Sequence, residues 1–372
     1  MTEQARPAAG SARRRLGGLD AARGAAVLGM ILVNVGPTNP ENLWQRIYLL
    51  PFGRASVLFV TIAGVGMGFF LRSRRGKQLW STLSWRIILL LLLGLVLQTL
   101  TDRVSVILQT YALLFLLAPF LARLRTRVLA GVGLALLVLG PAWIVHHDVQ
   151  EPWVHGEGGV SLITPPWEAV HSLLVTGPYP LASWTVPFIA GLLLSRLDLS
   201  GRRAQNWMLV GGGVLAVAAF VVADQFYAAL GPAADSGYPR LLTGVGHGQM
   251  PLWVISATAG ALFVIAACEI LDRRWPGLIG WLGTTGRFAF TIYVLHVLVL
   301  AVVKPADGFS FVQGMTTTLV LISVAVALAL LWARTGRQGP LEQLLRHAWL
   351  RSTPTVAATT TTTTTTTTDR TR

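Results

Sequence analysis

Residues 19–34 read LDAARGAAVLGMILVN: an acid and a base three apart at the mouth of an apolar run that closes on an asparagine. Residues i and i+3 share a helix face, so Asp20 and Arg23 can pair or together grip a polar group. Ionisable residues beside a membrane-length apolar run are costly, which makes the pair a candidate site. The apolar run itself decides the fold, because similar runs recur along the whole chain.

Of 372 residues, 53% are hydrophobic and only 12% charged, a composition that excludes an ordinary soluble core and indicates many membrane spans. Spans of about 17 to 25 residues are expected near residues 20–36, 48–71, 82–101, 104–122, 128–146, 181–196, 207–230, 251–271, 282–303 and 312–333. The expected fold is therefore all-α, a polytopic integral membrane bundle of about ten transmembrane helices. A cytoplasmic segment (1–15), one bundle (16–350) with an outer loop at 146–180, and a Thr-rich disordered tail (351–372) complete the organisation.

The net charge of +14 is spread over alternate connections rather than gathered into a nucleic-acid patch. Arg13–Arg15, Arg72–Lys77, Arg123–Arg127, Arg202–Arg203, Arg273–Arg274 and Arg334–Arg351 punctuate every second connection, whereas the stretch from His147 to Pro180 has no Lys or Arg. The positive-inside rule then places both termini in the cytoplasm. The basic N-terminus lacks a clear cleavage site after the first apolar run and reads as an uncleaved anchor. A single cysteine, Cys268, excludes internal disulfides and thiol zinc sites, and reads as a packing residue.

Gly64 and Gly68 fit small-xxx-small helix packing. AGVGMG, residues 63–68, follows no strand and is rejected as a phosphate loop. His146, His147, Asp148, His155 and Glu157 are a conceivable metal set, but their spacing is irregular and a solvated loop explains them; no metal is predicted. His296 is the sharper candidate: it lies nine residues, about 13 Å, beyond Arg287, with Tyr293 on the same face. It suits a general base, with Tyr293 orienting it, or a neutral histidine bonded to a neighbouring helix. His247, in GHGQMPLW, is a second candidate base, against a turn at the headgroups. Arg54 and Arg287 either snorkel or clamp phosphate. Glu269 and Asp224 read as interfacial.

Residues 13–34, RRRLGGLDAARGAAVLGMILVN, resemble the opening of the YeiB-like bacterial membrane proteins and of the heparan-α-glucosaminide N-acetyltransferase group, with their LD-x-x-RG first helix ending in asparagine. FGRASVLFVTIAGVGMGFFL looks like their second helix. YPLASWTVPFIAGLLLSR, GHGQMPLWVISATAGALFVIAACEIL, TTGRFAFTIYVLHVL and GPLEQLLR resemble later YeiB-like blocks, so the likeness runs from Arg13 to about Arg346. It implies a transmembrane acyltransferase using cytoplasmic acetyl-CoA or another acyl-CoA. The acceptor would be a glycan or small molecule at the outer face of a bacterial inner membrane. The animal enzymes carry a catalytic histidine shortly after the asparagine, and Val35–Tyr48 holds none. Either His247 or His296 substitutes, or the YeiB-like branch does other chemistry on the scaffold.

The expected catalytic set is His296, His247, Asn34 and Tyr293, and the expected donor-binding set is Asp20, Arg23, Arg54 and Arg287. Expected partners are membrane lipids, acyl-CoA and the acceptor, with homo-oligomer formation left open and no nucleic acid. A transporter or exporter of a polar or lipid-linked solute, with His296 relaying protons, and a noncatalytic membrane partner are the rival classes.

Overall fold

The computed structural model describes residues 17–36, 43–150, 159–244 and 248–346. These residues form helices and connections, with no strand among them. The first half comprises α1 (Gly17–Val35), α2 (Leu43–Tyr48), α3 (Arg54–Ser73), α4 (Gly76–Leu100), α5 (Leu108–Arg123) and α6 (Thr126–Gln150). The second comprises α7 (Pro166–His171), α8 (Leu181–Leu194), α9 (Arg202–Asn206), α10 (Gly212–Leu230), α11 (Pro251–Arg274), α12 (Pro276–Gly286), α13 (Ala289–Val303), α14 (Phe311–Ala333) and α15 (Pro340–Leu344).

Each of the ten expected spans meets an apolar segment, but they are not equal. Among the described residues, seven helical segments are long and apolar enough to cross a membrane: α1, α3, α4, α6, α9 continued through α10, α11 and α14. The pair α12 and α13 would be an eighth, bent by 63° where a continuous span over 282–303 was expected. The apolar α5 and α8 are shorter still. The outer loop also begins later than expected, because α6 carries His146–Gln150 as helix.

Helix α1 is the hub, packed against α3, α11, α12, α13 and α14. Glycine permits this: a Cβ on Gly24 would collide with the Leu282 carbonyl, and one on Gly286 with the Asp20 carbonyl. In the same way, Gly64 and Gly191 let the backbones of α3 and α8 touch, which is the close approach that small-residue stripes allow. By contrast, α4, α6, α10 and α14 expose rows such as Leu134, Val138, Val214, Val217, Val324 and Leu328, as lipid-facing helices do.

The arginine-rich ends converge on one face. Arg72 donates to the Ser195 hydroxyl (3.1 Å), Arg196 to Thr126 Oγ1 and the Leu124 carbonyl (both 2.9 Å), and Arg273 to Gln205 Oε1 (2.6 Å). Gly17 and Gly18 sit against Asp272 and Glu269, bringing the start of α1 to this same face. Glu269 is buried there, near the end of α11. The C-terminal ends of α1 and α13 lie at the opposite face.

Candidate active site

The site grows from the break between α12 and α13. A helix that restarts inside apolar surroundings exposes N–H groups that need acceptors. Glu342 of α15 supplies them: its Oε1 accepts from Phe290 N (2.9 Å) and Thr291 N (3.1 Å), and its Oε2 from Thr291 Oγ1 (2.6 Å). A carboxylate at a helix N-terminus also complements the macrodipole. The restarted helix then directs Tyr293 and His296, three apart on one face, into the core.

Tyr293 is held by the connection before α5. Buried Gln98 organises that connection, donating to the Thr101 and Val104 carbonyls and accepting from Val106 N. As a result Ile107 N donates to the Tyr293 hydroxyl (3.1 Å). The Tyr293 and His296 rings meet edge to face with centroids 5.1 Å apart. His296 Nε2 lies 3.0 Å from Asn34 Nδ2, joining the end of α1 to α13 across 262 residues.

In this arrangement the amide donates, Nε2 accepts, and the ring proton sits on Nδ1, which is buried without a hydrogen-bond partner among the described residues. Turning the amide over makes Nε2 the donor and Nδ1 the bare base. The side chain is only 3% exposed, and the Ile292 and Tyr293 carbonyls of its own helix lie beside the ring.

A cation borders the dyad. Lys304, just past α13, donates to the Asn34 carbonyl (2.8 Å) and the Arg103 carbonyl (3.1 Å), while the Arg103 guanidinium returns to the Lys304 carbonyl. Burial holds the Lys304 amine below its ordinary pKa. Tyr48 closes the other side: its hydroxyl donates to the Gly36 carbonyl (3.2 Å) and meets Thr318 Oγ1 at 3.1 Å. Its pKa is raised by burial, with the Thr318 bond opposing.

The remaining sequence candidates fall elsewhere. Asp20 and Arg23 pair at 2.8 Å near the basic face. The contact of Gly286 with the Asp20 backbone brings the neighbouring Arg287 to the same end, where it donates to Thr284 Oγ1 at 3.2 Å. Arg54 is separated from these three. It starts α3 at the Asn34 end of the bundle, reaching Ser256 Oγ at 3.5 Å and resting 5.6 Å from the Phe220 ring centroid.

His247, His155 and Glu157 lie outside the described residues. His146 Nδ1 meets the Tyr238 hydroxyl at 2.9 Å, Asp148 accepts from Arg240 at 2.6 Å, and His147 packs on His171. No group of three or more metal-ligating side chains occurs among the described residues. Lys304, Tyr48 and Glu342 were not singled out from the sequence. Only Glu342 left a local signal, Pro340 followed by an acid, which reads as a helical first turn.

Two cavities open at the basic face. One, about 410 Å³, is lined by Arg72, Pro119, Arg123, Ser195 and Arg196 among others. The other, about 440 Å³, is lined by Arg202, Asn206, Ile270, Arg273 and Arg274. A bundle of apolar helices around a buried polar dyad defines a polytopic helical membrane protein. Residues 104–334 match the acyltransferase domain family, and the chain belongs to that family. The matched region contains Arg287, Tyr293, His296 and Lys304, while Asp20, Arg23, Asn34, Arg54 and Glu342 lie outside it. No curated protein matches the chain.

Proposed function

We propose that the chain transfers an acyl group, acetyl in the simplest case, from acyl-CoA to a hydroxyl or amine of a glycan or other small acceptor, with His296 as general base. The Asn34–His296 contact carries this reading, because it gives a buried imidazole in this family an orienting partner. His296 takes the acceptor proton as the acceptor oxygen or nitrogen bonds to the thioester carbon. The C–S bond then breaks, and the CoA thiolate leaves with the proton that the imidazolium returns. Asn34 occupies the Nε2 lone pair, so the acceptor must displace or turn its amide. The freed N–H and the Lys304 ammonium are donors of the kind an oxyanion requires.

In this reading the basic face is cytoplasmic, both termini included, and the membrane is the bacterial inner membrane. Arg23 and Arg287 favour CoA phosphates at that face, with Asp20 orienting Arg23. From Asp20 to Asn34 the helix rises about 21 Å, comparable to an extended pantetheine arm. The likeness of residues 13–346 to YeiB-like proteins supports the same division. The test is label transfer from [¹⁴C]acetyl-CoA by detergent-purified full chain. His296→Ala is expected to lower transfer about 10²- to 10⁴-fold with folding retained, and undiminished turnover would overturn the assignment.

One observation invites a transporter, the broken α12–α13 pair, since discontinuous helices bind ions and substrates at their free ends. Here Glu342 already fills the freed N–H groups of α13, which favours a structural break.

A further inference from the structure

The cleft between α9 and the last turn of α11 has no part in the reaction above, yet it gathers three guanidinium groups and an amide, Arg202, Arg273, Arg274 and Asn206, around about 440 Å³. Of the acids nearby, Glu269 is close enough to Arg273 to interact with its charge, and the others turn away from the cleft. Glu269 and Asp272 lie one turn apart on the α11 face that meets Gly18 and Gly17 of α1. Asp198 accepts the backbone N–H (3.1 Å) and the hydroxyl (2.6 Å) of Ser200. Arg273 is fixed by Gln205, which is 2% exposed and itself donates to the Leu199 carbonyl. Arg202 and Arg274 are exposed and make no hydrogen bond or ion pair among the described residues. One arginine is therefore pre-positioned and two are free to close on an anion.

The height of the cleft selects the anion. Trp207 (70% exposed) directly follows α9 and Trp275 (56% exposed) directly follows α11, so each element that lines the cleft is followed by an exposed tryptophan. Exposed tryptophans mark the membrane interface. From Trp207 the exposed Val210, Val214, Val217 and Val221 continue along one lipid-facing column. The column faces away from α11, on which Gly212 packs, so acyl chains of a lipid held by the arginines reach this apolar track around the side of the helix.

We infer that this cleft binds the phosphodiester headgroup of an anionic phospholipid, with its chains against the Trp207–Val221 column. Basic pockets between helices at the cytoplasmic side are suited to such headgroups. A soluble phosphate shares the headgroup chemistry but gains nothing from the apolar track.

The test uses full-length protein in neutral detergent, titrated with short-chain phosphatidylglycerol, phosphatidylcholine, or ADP, with bound lipid counted by native mass spectrometry. Phosphatidylglycerol is expected to bind in preference to the other two. The R202Q/R274Q pair, both exposed, should lose about 30-fold in its affinity, at roughly one kcal/mol per basic residue. R123Q, in the other cleft, should retain it. Equal phosphatidylglycerol affinity in wild type and R202Q/R274Q would overturn the site. ADP binding as tight as phosphatidylglycerol, lost in the same double variant, would overturn the lipid assignment in favour of a soluble phosphate.

Discussion

Replacing Glu342 by alanine should loosen the helix that carries the proposed base, although Glu342 touches neither His296 nor Asn34. The side chain makes three hydrogen bonds to the start of α13, two to backbone N–H groups and one to the Thr291 hydroxyl. Hydrogen bonds to a charged group contribute about 1.5–3 kcal/mol, and the helix dipole adds a few tenths to one more. Water recovers part of the loss, because Glu342 is only half-buried. A net cost of about 2–4 kcal/mol follows, in line with a strong cap. Hydrogen–deuterium exchange reads this directly at residues 290 and 291, where local opening should become about 30- to 1000-fold more frequent. Glu342→Gln keeps an acceptor oxygen and should fall between wild type and alanine. Acyl transfer should decline in the same order. Exchange at 290 and 291 unchanged in Glu342→Ala would refute the capping argument, and with it the account of how α13 is set.

Gly191→Val drives a side chain into the Thr61 carbonyl and should lower detergent thermal stability by about 1–3 kcal/mol or more. Gly66→Ala on the same α3 meets nothing within 4 Å and should be neutral or slightly stabilising. Lys304 gives a pH signature: burial lowers its folded pKa, so the charged amine is penalised in the folded state at all pH below that value. Between the folded pKa and the unfolded value of 10.5 the unfolded chain holds more protons, and stability should rise with pH. Lys304→Met should remove that slope, measured by chemical unfolding at several alkaline pH values.

The segments of this fold were legible because long apolar runs have few alternatives, and the Asp20–Arg23 pair because i and i+3 face one another by helix geometry alone. The break in α12–α13 was not: Gly283–Arg287 (GTTGR) does interrupt the apolar run there, but the hydrophobic length on either side let one continuous span absorb it. Its stabilising carboxylate comes from Glu342, about fifty residues later. Asn34 and His296 were each legible as unusual polar residues in apolar helices, but nothing local couples positions 262 apart. Arg54 shows the converse. Its type suited a phosphate site, yet its place at the start of α3 gives it Ser256 and Phe220 as neighbours, away from Arg23 and Arg287.

The central claim is that Asn34 and His296 act as one unit, and a double-mutant cycle on acyl transfer tests it most directly. The account predicts that Asn34→Ala lowers kcat substantially in wild type but has almost no further effect once His296 is alanine, because the amide has then lost the ring it orients. Equal effects of Asn34→Ala in the two backgrounds would contradict it.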